Sequence, residues 1–342
     1  MVECSFFTEN KYVKMIIMKN KKIQVLRGVA IIAVIATHTC PYGIVQVYVR
    51  PFLNFAVALF LFLSGYLTDA SKIRKKGFYR KRIAKVLIPY LIWSIIYTLV
   101  DEFLSGKDIS IKEIFGNVCS AKGAASLYYV FVYIQFVILT PLLTKMAKMK
   151  RWYVGLIVSP LFLMLKIPVS FILSLPKDSS IMNWIWITCC FSWFNFYYIG
   201  IYLCNSKNSK AIKTCKLLAL LIMSVILEIL EGLILYKKGS TDPGTQIKIT
   251  SLCTSSIVIL IAYNFLGSVK TYSNKIMVLL GDYSSGLFFS HILILWLVKR
   301  YLVIWNNIPF ILNTAVIIVF TLALDVVLKK ILGSKKSSYL GI

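Results

Sequence analysis

The 342-residue chain has only two histidines, His38 and His291, and both stand inside long apolar stretches. Imidazole is the side chain best suited to proton transfer near neutral pH. An ionisable group at membrane depth is costly enough to be a functional candidate by default. His38 closes the run LRGVAIIAVIATH, eleven residues after Arg27. Eleven helical steps make about three turns plus 20°, so the two side chains share a face, about 16 Å apart along the axis. A cation at a membrane edge, in line with an imidazole near the middle, suits an anionic ligand entering from the cation's side. The same spacing also fits a plain interfacial arginine and a histidine that bonds a neighbouring helix. His291 lies in GDYSSGLFFSHILILW, where Tyr283, Ser284 and Ser290 make the helix unusually polar. Such a face lines a cavity or acts as close-packing glue between helices.

Other candidates surround these two. The segment KIRKKGFYRKRIAKVLIPYLIWS carries eight basic residues between Lys72 and Lys85. Arg80, Arg82 and Lys85 within it could hold phosphates, Arg as a bidentate fork and Lys as a point charge. Attraction to anionic lipid explains such a cluster equally well. Glu228 and Glu231 stand three apart on one helix face. They form either a proton or cation site or, the favoured reading, part of a span's outer rim. Asp282 and Asp325 are expected at membrane interfaces, and Tyr128, Tyr129 and Gln135 at the outer aromatic belt. The eight cysteines lack C-x-x-C spacing, so they read as packing residues and no metal site is expected.

The elements that must position these groups follow from composition. The chain is 58% apolar and 15% charged, against about 45–50% and about 25% in ordinary soluble domains. That excludes a soluble globular protein and predicts an all-α polytopic membrane protein. Ten transmembrane helices are expected, at 28–46, 52–68, 86–104, 127–144, 152–172, 182–203, 217–235, 249–267, 276–298 and 309–328. The net charge of +26, from 39 basic and 13 acidic residues, gathers in loops of one side. By the positive-inside rule both termini are then cytoplasmic, and the basic excess marks topology rather than nucleic-acid binding. Residues 1–26 form a cytoplasmic segment with Met15 and Met18 as alternative starts, 27–330 the membrane domain, and 331–342 a cytoplasmic basic tail. No signal peptide is expected, because no long apolar core precedes the first span.

Five stretches in order resemble the acyltransferase type 3 family of bacterial membrane enzymes that decorate surface glycans. LRGVAIIAVIATH resembles its opening motif, a basic residue and then a histidine after ten intervening positions. FLFLSGYL is similar to its Phe-rich SGY ending, and RIAKVLIPYLIWSIIY to its third-helix entry, with Lys85 where a second arginine is usual. LYYVFVYIQFVILTPLL resembles the fourth helix, with Tyr128 in place of Trp. LGDYSSGLFFSH resembles the late histidine element, with Phe288 in place of Tyr. The resemblance implies transfer of an acyl group, most often acetyl from cytoplasmic acetyl-CoA, to a hydroxyl of a surface polysaccharide or its lipid-linked precursor. It places the protein in the bacterial cytoplasmic membrane, with acetyl-CoA as co-substrate and no bound cofactor. His38 would be catalytic, as general base or as acetyl carrier. Arg27, Arg80, Arg82 and Lys85 would bind the donor, and His291, Tyr283, Ser284 and Tyr128 would serve the acceptor or a proton path. The rival from another class is a transporter or flippase, which paired broken helices would favour.

Overall fold

In a bilayer every backbone N–H and C=O must be satisfied within the protein, which leaves a chain this apolar to fold as helices. The computed structural model describes residues 2–68, 73, 76–106, 108, 110–173, 179–205, 213–268, 274–302, 305 and 308–342, with side chains from Lys21 onward except at 170 and 171. Among the described residues there is no strand. The helices are α1 (Val2–Thr39), α2 (Ile44–Val49), α3 (Phe55–Tyr66), α4 (Phe78–Ser105), α5 (Ile111–Ser120), α6 (Tyr128–Lys148), α7 (Val154–Met164) and α8 (Lys166–Ile172). They continue as α9 (Ser180–Thr188), α10 (Phe194–Asn205), α11 (Thr214–Lys237), α12 (Ile249–Gly267), α13 (Lys275–Asp282), α14 (Ser284–Tyr301) and α15 (Phe310–Ser337).

Seven stretches among the described residues are long and apolar enough to cross a membrane, or nine if each of two bent pairs is one span. The bends are 59° between α9 and α10 and 78° between α13 and α14. Among the described residues this measure gives seven to nine spans where ten are expected. The stretch at 152–172 is only a short apolar helix, Val154–Val169, which breaks between α7 and α8. Pro168 lacks an N–H and fits the first turn of a new helix better than the interior of an old one.

Two local departures from the expected layout shape the site. The first expected span ran to residue 46, yet α1 stops at Thr39. Pro41 follows at once and Gly43 takes φ 82°, so His38 stands in the last turn of α1 rather than inside a longer helix. The second departure is α5, which folds back along α4. Ser110 N donates to Glu102 Oε1 (3.0 Å), Asn117 Nδ2 to Thr98 Oγ1 (3.1 Å), and the Tyr90 hydroxyl to Val118 O. Gly123 then rests against the backbone of Ser94, near the middle of α4. As a result α6 starts inside the bundle. Tyr128 is buried and stacked on Trp193 at 5.9 Å, and Tyr129 meets Phe288 at 5.3 Å. Neither sits at an outer belt.

Two cores result. One joins α3, α6, α10 and α12 through Phe62, Phe136, Trp193, Tyr197 and Ile259. The other joins α1, α4, α14 and α15 through Ile31, Trp93, Tyr97, Leu287 and Ile317.

Candidate active site

Gly28 and Gly281 let α13 cross α1 at backbone contact: a Cβ at either would run into the partner helix's main chain, at Met277 and Gln24. With α13 fixed on α1, the bend at Tyr283 sends α14 upward, and His291 meets His38. Their ring centroids are 5.3 Å apart with planes at 46°. His291 is fully buried, and its Nδ1 lies 2.9 Å from Leu287 O. A carbonyl only accepts, so Nδ1 carries the proton and Nε2 is left with a lone pair. That Nε2 is buried without a hydrogen-bond partner among the described residues.

His38 is half-buried because it lines a polar cavity of about 330 Å³. The walls come from α4 (Tyr97, Thr98, Asp101), α5 (Glu113, Asn117), the turn at Lys122 and α14 (Trp296, Lys299). None of the four charged side chains there is in an ion pair; the ion pair among the described residues is Arg50 with Asp242, at 2.5 Å. Tyr97 reaches further in. Its hydroxyl donates to Phe289 O (2.6 Å) and accepts from Leu293 N (3.2 Å), a carbonyl and an amide about one helical turn apart in α14. Tyr97 thus ties α4 to the helical turn that carries His291.

The expected donor residues lie at the opposite end of α4. Arg82 is half-buried, donates from Nη1 to Thr68 Oγ1 (2.7 Å) and lies over the Phe78 ring at 5.1 Å. Arg80 and Lys85 are exposed beside it. Lys72, Arg74 and Lys75 of the same basic cluster lie outside the described residues. Arg27 is half-buried, with Nη1 3.4 Å from Gln24 Oε1.

The remaining candidates are spread out. Tyr283 sits at the bend under Lys329 Nζ (4.7 Å), and the Ser284 hydroxyl donates to Gly281 O (2.7 Å), stabilising the bend. Tyr128 accepts from Gln246 Nε2 at 2.6 Å. None of these three is among the residues lining the His38 cavity. Asp325, expected at an interface, is instead fully buried against Gly286 and Ser290, because the small side chains of α14 admit it. Glu228, favoured as a rim residue, is also fully buried; Oε1 accepts from Asn54 Nδ2 (2.6 Å) and Ser251 Oγ (2.5 Å). Gln135, expected at the belt, bridges the break between α9 and α10. It donates to Thr188 O (2.8 Å) and accepts from Cys190 N (3.0 Å). Thr188 O and Cys190 N at that break, and Gly281 O at the second bend, are taken up by side chains of the protein, whereas a transport site would offer such groups to cargo.

A sequence reader could have reached Tyr97 and Asp101, which follow Trp93 at four-residue steps on one face of α4. Glu113 and Asn117 repeat that spacing on α5. The chain matches the acyltransferase domain family over residues 20–329. No curated protein and no solved structure matches it. With nearly the whole helical bundle inside that match, the chain belongs to the acyltransferase type 3 family and is a membrane acyltransferase.

Proposed function

We propose that the protein is an O-acetyltransferase of a bacterial cytoplasmic membrane, moving acetyl from cytoplasmic acetyl-CoA to a hydroxyl of an extracytoplasmic surface polysaccharide, such as capsule or O-antigen, or of its lipid-linked precursor. The observation that carries this reading is the contact between His38 and His291 at the floor of a polar cavity, with the basic end of α4 on the other side. A basic end suits the phosphates of a CoA thioester. A cavity of mixed charge suits the hydroxyls of a sugar.

An alcohol is a poor nucleophile until a base takes its proton or the acyl group is activated. The pair can do both. One nitrogen of His38 attacks the thioester carbonyl while its other nitrogen gives its proton to His291 Nε2. The C–S bond breaks, the thiolate takes that proton and leaves as free CoA, and the acetyl group stays on His38. A sugar hydroxyl then attacks the acetyl-imidazole, its proton passes to His291, and transfer of that proton back to His38 as the acetyl–nitrogen bond breaks restores both rings. In this scheme His38 carries the group and the hydrogen bond to Leu287 fixes His291 in the accepting tautomer. His38→Ala, expressed in cells lacking the native copy, is expected to insert normally and to leave the surface glycan without O-acetyl signals in its NMR spectrum. Unchanged acetyl signals would remove His38 from the chemistry.

A further inference from the structure

Below the histidine pair, toward the basic end, a segment of the chain itself fills a slot between α4 and α14. At Gly333 (φ 72°, ψ 165°) α15 breaks, a conformation open to glycine and strained for other residues, and the chain then turns back on the bundle. The buried Trp93 donates from Nε1 to Leu340 O at 3.0 Å. Gly341 lies so close to α14 that a Cβ there would stand 3.0 Å from the Phe289 ring and 3.1 Å from Ser285 Oγ. Ile342 reaches Gly286, and its N–H bonds back to Ser337 O at 3.1 Å. This segment lies beyond residue 329, where the match to the family ends.

The slot holds one polar group that the strap does not satisfy. Asp325 Oδ1 accepts from Ser290 Oγ (3.0 Å), but Oδ2 is fully buried beside Gly286 with no partner among the described residues. Such an oxygen calls for an N–H or O–H donor. The position of the slot is also specific. Trp93 follows Arg82 by eleven residues, hence on the same face and about 16 Å further along α4. Gly286 precedes His291 by five residues, about 7.5 Å along α14.

We infer that this slot receives the amide-bearing arm of the CoA thioester, and that residues 338–342 compete with it as an autoinhibitory strap. The inference rests on the acetyl-CoA reading given above. A pantetheine arm and a peptide strand present the same carbonyl and N–H groups. The indole that holds Leu340 O can therefore hold an arm carbonyl, and Asp325 Oδ2 can take an arm N–H or hydroxyl. Displacing the strap breaks one indole hydrogen bond and uncovers Leu340, Gly341 and Ile342, which are only half-buried.

Two proteins test this in nanodiscs, with release of CoA from acetyl-CoA measured in the presence of polysaccharide extracted from the producing cells. Truncation after Ser337 is expected to lower KM for acetyl-CoA about tenfold with kcat unchanged, the factor for a slot open in about a tenth of molecules. The pair S285C/G341C, oxidised to a disulfide verified by mass spectrometry, is expected to lose turnover and to regain on reduction the rate of G341C alone. A truncation that lowers the melting temperature and leaves KM unchanged would mark the strap as packing and overturn the inference. Equal turnover of the oxidised and reduced pair would overturn it as well, with the donor reading intact. Absence of acetyl-CoA turnover in the unmodified protein would overturn the donor reading and the strap together.

Discussion

The two cores of this bundle are equally rich in aromatic side chains but treat buried polar groups differently. Around α6 and α10 polar atoms find each other. Thr140 Oγ1 meets the Tyr197 hydroxyl at 2.9 Å, Ser159 meets Asn195, and Gln135 satisfies both sides of a helix break. Trp186 Nε1, Ser126 Oγ just before α6 and Glu228 Oε2 beside α12 are exceptions among the described residues. Around α4, α14 and α15 the atoms buried with no partner among the described residues include Ser94 Oγ, Glu102 Oε2, His291 Nε2 and Asp325 Oδ2. An orphaned buried polar group costs stability in a finished protein, and under the proposed function a bound substrate would supply the missing partners of His291 Nε2 and Asp325 Oδ2. Under the proposed function the second core is the one that receives substrate. On that reading the donor would run along α4 from Arg82 past Trp93 to Tyr97.

This contrast can be broken by substitution. The largest expected effect after His38→Ala is His291→Ala, which removes the proton acceptor. Transfer should fall by about 10²–10⁴, with little added loss when both histidines are removed, since residues acting as a unit are not additive. Independent, additive losses would mean that the rings touch without cooperating. Tyr97→Phe comes next. The ring still packs against Trp296 at 5.3 Å, but the hydroxyl leaves the turn that aims His291. Loss of kcat by about tenfold with KM for donor and glycan unchanged is expected, the scale of about 1.4 kcal/mol in transition-state alignment. A change confined to KM would place Tyr97 in ligand binding. Lys85→Ala should act at the basic end alone, raising KM for acetyl-CoA a few-fold. A shift in acceptor choice would misplace the donor.

Much of this was readable because it is local. The eleven-residue step from Arg27 to His38 needs only helix geometry, and Pro41 with Gly43 announces the end of α1. The expected first span overran that signal because the apolar run resumes at Ile44 beyond Pro41 and continues to Val49. The re-entrant α5 was not readable as such. Its Glu113 and Asn117 share a face, but a topology count treats everything between two spans as loop. Asp325 was the least legible. Its burial depends on Gly286, 39 positions away in the chain, and nothing near Asp325 in sequence announces a vacant contact on another helix.

The smallest expected effect on activity is the control that gives the comparison its meaning. Thr140→Val keeps the shape of a fully buried side chain in the core around α6 and α10 and removes one hydroxyl. Its Oγ1 also bonds Phe136 O at 2.7 Å, a carbonyl already served by its own helix. The loss therefore falls on the pair with the Tyr197 hydroxyl, at a cost of about 1 kcal/mol. Thermal unfolding in detergent should report that loss. The acetylation rate per folded molecule should stay at the level of the unmodified protein, because neither group lies on the face of α4 that joins slot, histidines and cavity. A fall in kcat from Thr140→Val comparable to that from Tyr97→Phe would show the two cores to be mechanically one. The orphaned groups around α14 could then no longer be read as a substrate path distinct from the rest of the bundle.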